Sequence, residues 1–100
     1  MNLFRYQVFM KENKLLIKNN VSKLEFNVLN ENLDIIFYES HSRFPISSIE
    51  KIEIFNKGNI LEKIFIKISW NIKIEYIFFN DTEYNAEIKS FFKKMWFKQL

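Results

Sequence analysis

The chain is 100 residues long, 48% hydrophobic, 18% aromatic and 27% charged, with a formal net charge of +3. That length suits one domain, residues 1–100, and so high an aromatic content excludes a disordered chain, which cannot bury enough apolar surface to offset its ordering entropy. No apolar run reaches the roughly 18 residues needed to span a bilayer, Met1 to Met10 lack a signal-peptide pattern, and with no Cys there is no disulfide, thiolate zinc site or cysteine nucleophile, so the expectation is a cytoplasmic protein held by its core alone.

Alternation with a period of two dominates the first 80 residues and predicts strands. Phe4, Tyr6, Val8 and Met10 alternate with Arg5 and Gln7; Leu15 and Ile17 mark a short second run; Leu24, Phe26 and Val28 mark a third. A fourth, Leu33 to Tyr38, is apolar on both parities, which suits a strand covered on both faces or at an interface. Asn19-Asn20 and Asn30-Glu31-Asn32 read as hairpin turns, because Asn enters the left-handed region at small cost and Gly is nearly absent. The stretch Glu39-Ser40-His41-Ser42-Arg43 reads as a solvated loop. Ile46 and Ile49, after the single Pro45, share one side of a helical turn before Ile52 and Ile54 resume alternation, and Asn56-Lys57-Gly58-Asn59 closes the next hairpin.

The long hairpin from Ile60 to Phe79 needs a loop of odd length, or every apolar residue would oppose a polar one. With Trp70-Asn71-Ile72 as the loop, Ile68 faces Ile74, Ile66 faces Tyr76, Ile64 faces Phe78 and Lys67 faces Glu75. After Phe79 the period changes. Asn80-Asp81-Thr82-Glu83 resembles a capping box, and Tyr84, Ile88, Phe91, Phe92 and Met95 follow at the spacing of one helical face, with lysines late as the macrodipole favours. That face is expected to close the end of the sheets.

This order of elements, with Phe44-Pro45-Ile46-Ser47-Ser48-Ile49-Glu50-Lys51-Ile52 at its centre, resembles the small bacterial members of the pleckstrin-homology-like family. The resemblance implies a mainly β (α+β) fold: about seven antiparallel strands in two packed sheets or a partly open barrel, closed by one C-terminal helix. A fold of this kind does not carry a function with it.

No constellation stands out as catalytic. The lone His41 has no phosphate-loop or oxyanion-type glycines near it, and Glu50 and Glu53 read better as the polar face of a strand than as an acid-base pair. The expectation is a non-enzyme without metal or cofactor. An interleaved basic and aromatic sheet face for nucleic acid is not found on the long hairpin, where Glu75 interrupts Phe65, Lys67, Ser69 and Lys73. The surplus is apolar: Phe65, Ile77 and Phe79 fall on the parity opposite the inner row, and Trp96 and Phe97 lie off the helix stripe. These five residues are candidates for a protein-binding surface, the partner being another protein, including a second copy of the chain. Ile, Lys, Asn and Phe make up 52 residues, all read from A/T-rich codons, which fits a small inhibitor or adaptor of a low-G+C bacterium or its phage. The alternative is peripheral binding to anionic membrane through Lys11, Lys14 and Lys18 with Lys94 and Lys98.

Overall fold

A computed structural model describes residues 5–78 and 82–99, with side chains through Met95. Among these, eight antiparallel strands form two sheets and one helix follows. The first sheet is a meander of β1 (Gln7–Lys11), β2 (Lys14–Lys18), β3 (Lys23–Leu29), β4 (Asn32–Phe37) and β5 (Ser40–Pro45), each paired with the next. A 3-10 turn over Ile46–Ser48 leads into the second sheet, β6 (Ile49–Lys57), β7 (Ile60–Ile68) and β8 (Ile72–Ile77), and α1 spans Ala86–Gln99. No helix among the described residues is long and apolar enough to cross a membrane.

The period-two pattern sets the inner faces. Leu15, Phe26 and Ile35 lie opposite one another across β2, β3 and β4, as do Ile17, Leu24 and Phe37. In the second sheet Ile54, Ile64 and Tyr76 form one inner row and Ile52, Ile66 and Ile74 the next. Burying each such side chain contributes about 1.5–3 kcal/mol, several times any cross-strand ion pair, so these rows fix the registers. Phe26, with no exposed surface, is the meeting point. Its ring centroid lies 5.9 Å from Tyr76 on β8, and 6.3 and 5.4 Å from Phe91 and Phe92 on α1. Ile88, Phe91, Phe92 and Met95 are all buried against this core, as the helical stripe requires.

The structure departs from the expected layout in four places. Ser40–Pro45 is a strand rather than a loop, which raises the count from seven to eight. Its inner positions Ser40 and Ser42 give no apolar alternation to read. The β7–β8 loop is odd in length, but it is Ser69-Trp70-Asn71, so Ile68 pairs with Ile72, Ile66 with Ile74 and Ile64 with Tyr76. A shift of two residues keeps the apolar row on the same face, which is why periodicity alone cannot distinguish the two registers. Trp70 and Asn71, at φ 69° and 64°, place the left-handed turn one residue earlier than expected. Third, Asn19-Asn20 turns by side-chain hydrogen bonding rather than by positive φ. Asn19 Oδ1 accepts from the N–H groups of Val21 (2.9 Å) and Ser22 (2.7 Å).

Fourth, the helix begins at Ala86, capped by Asn85, whose Oδ1 accepts from the N–H of Glu87 (3.1 Å) and Ile88 (3.2 Å). The capping box expected at Asn80 to Glu83 is replaced at its described end by extended backbone, while Asn80 and Asp81 lie outside the described residues. Thr82 bridges Tyr6 in parallel and Glu83 bridges Ile60. Leu61 N–H donates to Thr82 O and Tyr84 N–H to Asn59 O, both at 2.7 Å. The segment 82–84 thereby joins the start of the first sheet to the second. Tyr84 precedes the helix, partly buried against the core.

Candidate functional site: a cleft beside an open strand edge

Two sheets leave four edge strands, β1, β5, β6 and β8, and an unpaired edge is a template for another chain unless it is blunted. Three are blunted. Thr82 bridges the start of β1 at Tyr6, and α1 packs on that strand. β5 ends in Pro45 and carries His41 and Arg43. β6 departs from regular register between Ile49 and Lys51 and again between Phe55 and Asn56, and it carries Glu50, Lys51, Glu53 and Lys57. β8 carries one Lys and one Glu but, among the described residues, no Pro, no bulge and no covering segment. Its sequence Ile72-Lys73-Ile74-Glu75-Tyr76-Ile77 pairs with β7 without interruption, and no strand lies on its other side among the described residues.

Beside that edge the two sheets part and leave a cleft of about 430 Å³, lined by Tyr6, Leu24, Phe37, Tyr38, Tyr76 and Phe78 among others. The rings support one another: Tyr6 meets Phe78 edge-on at 5.3 Å, Phe37 lies 5.5 Å from Tyr76, and Phe37 lies 4.5 Å from Tyr38. Tyr38 leaves β4 with φ 56° and is 56% exposed, and Phe37 is also exposed. Burial pushes the Tyr76 phenol above its ordinary range. The polar groups are few: Glu75 at the rim, and Ser22, whose Oγ lies 3.2 Å from Tyr6 Oη and 3.0 Å from Asn19 Oδ1. A concave apolar site with a few polar groups at its rim suits an apolar side chain better than a charged substrate. Two other surface hollows, at 28–32 with 45–47 and at 5–9 with 18–20, are lined by polar and apolar side chains mixed, and lie beside no comparable edge.

The residues singled out in the sequence are not all in one place. Ile77 is exposed at the end of β8 and lines the cleft. Phe65 lies on the outer face of the second sheet, half-buried between Glu53 and Glu75. Phe79 lies outside the described residues, as do the side chains of Trp96, Phe97 and Lys98 on α1. Sequence reasoning passed over Trp70 and Ile72, and reached Phe37 and Tyr38 only as part of the two-sided apolar run Leu33 to Tyr38. An aromatic beside turn residues was the available signal for Trp70 and Tyr38, and both take positive φ.

Lys11, Lys14 and Lys18 share the outer face of the first sheet. Lys11 pairs with Lys14 at the β1–β2 turn, whereas Lys18 lies at the other end of the hairpin opposite Gln7. Lys14 is 3.9 Å from Glu25, and Lys18 sits 5.5 Å from the Phe9 ring centre. Lys94 borders a small hollow with Glu12 and Asn13, at the Lys11 and Lys14 end.

His41, on β5, brings Nε2 to 3.6 Å from Asp34 Oδ2, and Arg43 holds the same carboxylate through Nε (2.7 Å) and Nη2 (3.0 Å). The bidentate Arg43 bonds hold the Asp34 carboxyl below its usual range, outweighing the opposing effect of burial. Asp34 is only 5% exposed, covered by side chains on the outer face rather than by the core. Glu50 and Glu53 are each held by a lysine, Lys67 at 3.5 Å and Lys51 respectively, and neither lines the cleft. No three His, Asp or Glu side chains converge as a metal site among the described residues.

Set against known proteins, the chain matches no family model, no curated protein and no solved structure.

Proposed function

We propose that the chain is a non-catalytic binding module of pleckstrin-homology-like fold that engages another protein at the seam beside β8. The observation that carries this reading is a coincidence of position: among the described residues, the one edge without a Pro, a bulge or a covering segment runs along the apolar cleft. An extended segment added to such an edge gains main-chain hydrogen bonds, and pockets for its alternate side chains supply specificity. A module of this kind acts as an inhibitor or adaptor by occupying a partner's segment. The element order, a meander, a 3-10 turn, a second meander and a helix, supports the pleckstrin-homology-like assignment, with β5 as an eighth strand beyond that family's seven.

The test is recovery of a partner from source-cell extract by the tagged chain, alongside two variants. Tyr38→Asp places a charge at the cleft mouth on an exposed residue, and Arg43→Ala alters the opposite edge. Wild type and Arg43→Ala are expected to retain a stoichiometric partner, and Tyr38→Asp to lose it with its melting temperature unchanged. Absence of any partner, together with absence of self-association, or capture indifferent to Tyr38→Asp, overturns the reading.

A further inference from the structure

The residues of β8 themselves point to an occupant of its open edge. We infer that β8 pairs with β8 of a second copy of this chain, antiparallel about a two-fold axis, joining two three-stranded sheets into one of six; this rests on the binding-module reading. In such an isologous pair, residues directly opposite lie on the same sheet face, so only registers centred on a residue are allowed. Centred on Ile74, the pair sets Lys73 opposite Glu75 of the second copy and, by symmetry, Glu75 opposite its Lys73. On the inner face the same register sets Ile74 against its twin and Ile72 against Tyr76. Centring on Lys73 or Glu75 sets like charges face to face, and centring on Tyr76 sets Glu75 against Ile77. The Ile74 register alone sets Lys opposite Glu, with apolar opposite apolar over Ile72–Tyr76; at its ends it sets Ile77 opposite Asn71.

Three large side chains beside this edge are left in water by their own chain: Ile72 at 45%, Ile77 at 52% and Trp70 at 93% exposure. Lys73 has no carboxylate partner among the described residues, and Glu75 meets only Lys63, at 3.5 Å. In the Ile74 register Trp70 falls opposite Phe78 of the second copy, whose ring stands with Tyr6 at the cleft. Each copy thus presents one indole where the other has an apolar cavity, and the contact is made twice. Trp70 also sits at φ 69°, a conformation that Gly adopts freely and a bulky residue does not. A loop under no demand but turning has no use for the largest side chain there.

Sedimentation velocity of the full chain at concentrations up to about 0.5 mM tests this, with melting temperature as the control for folding. Wild type is expected to form a dimer. Lys73→Glu and Glu75→Lys each set like charges across both pairs and are each expected to weaken association about tenfold or more, while an equimolar mixture of the two variants is complementary and restores it. Trp70→Ala is expected to weaken it roughly thirtyfold or more, as for an aromatic anchor seated in an apolar pocket of the partner. A wild type that stays monomeric throughout, or charge variants that dimerise as wild type does, overturns the inference. A monomer that still captures another protein through the cleft overturns self-pairing alone; a monomer that captures nothing removes the binding-module reading as well.

Discussion

The edge strands β5 and β8 are each six residues long and each close one side of a sheet, yet they face water with opposite chemistry. β5 offers Ser40, His41, Ser42 and Arg43 and stops at Pro45, so an incoming strand meets charge and then a residue with no N–H to give. β8 offers three isoleucines and a tyrosine with one Lys and one Glu. Both strands rest on the same core, since Phe26 touches Tyr76 and β3 pairs with β4, which carries β5. The difference is therefore one of surface and not of stability. Three protected edges and a fourth, largely apolar one beside a cavity are the asymmetry on which the proposed association rests.

The largest perturbation removes the support common to both edges. Phe92→Ala is expected to cost about 3–5 kcal/mol, much of a small domain's total stability, and to lower the melting temperature by well over ~10 °C or prevent folding, read by circular dichroism. A change within about 0.5 kcal/mol would mean that α1 does not hold the sheets. Next, Ile72→Lys puts a blunting charge on β8 where the side chain is already exposed; association should be lost while the melting temperature stays near wild type. The converse change gives β5 the chemistry of β8: His41→Val with Arg43→Val should make the protein aggregate on concentration, and if it stays as dispersed as wild type, edge chemistry is not what separates the two strands.

A pH titration probes the β5 side alone. Arg43 lowers the folded-state pKa of Asp34 below an unfolded value near 3.9, so the ion pair's contribution is fully present above that value and is lost as pH falls through the lower, folded one. Melting temperature should therefore fall on acidification below about pH 4, and Arg43→Ala should make that fall shallower while leaving association at β8 as it was. The smallest effect belongs to the outer face of the second sheet. Lys63→Met removes a cation 4.5 Å from the Phe55 ring centre and should cost about 0.5–1 kcal/mol, measured by urea unfolding.

The apolar periodicity was legible wherever a strand had one wet face, which is why Leu24, Phe26, Val28 and the even row of β7 could be assigned to the core. β5 was not legible because its inner residues include two serines, held in the sheet by pairing with β4 rather than by their own burial. The Ile74 pairing with Ile66, in place of Ile68, was equally hidden: both registers bury the same side chains, and the choice was made by backbone conformation at Trp70 and Asn71. Of the residues lining the cleft, Ile77 stood out in the sequence by parity. Phe37 and Tyr38 showed only as the end of a two-sided apolar run, because their exposure arises where β4 ends and the two sheets part.

The bridge between Tyr6 and Thr82 bears on how the protein reaches this structure. Nearly the whole described chain lies between those two residues, so closing that contact is entropically late compared with the tight hairpins of β1 to β4 and β7 to β8. During synthesis β2 to β5 can zip locally while the outer side of β1 waits for a segment made long afterwards. A pulse of hydrogen exchange during refolding would then find β3 and β4 protected early and Leu61, whose N–H donates to Thr82 O, protected at the end.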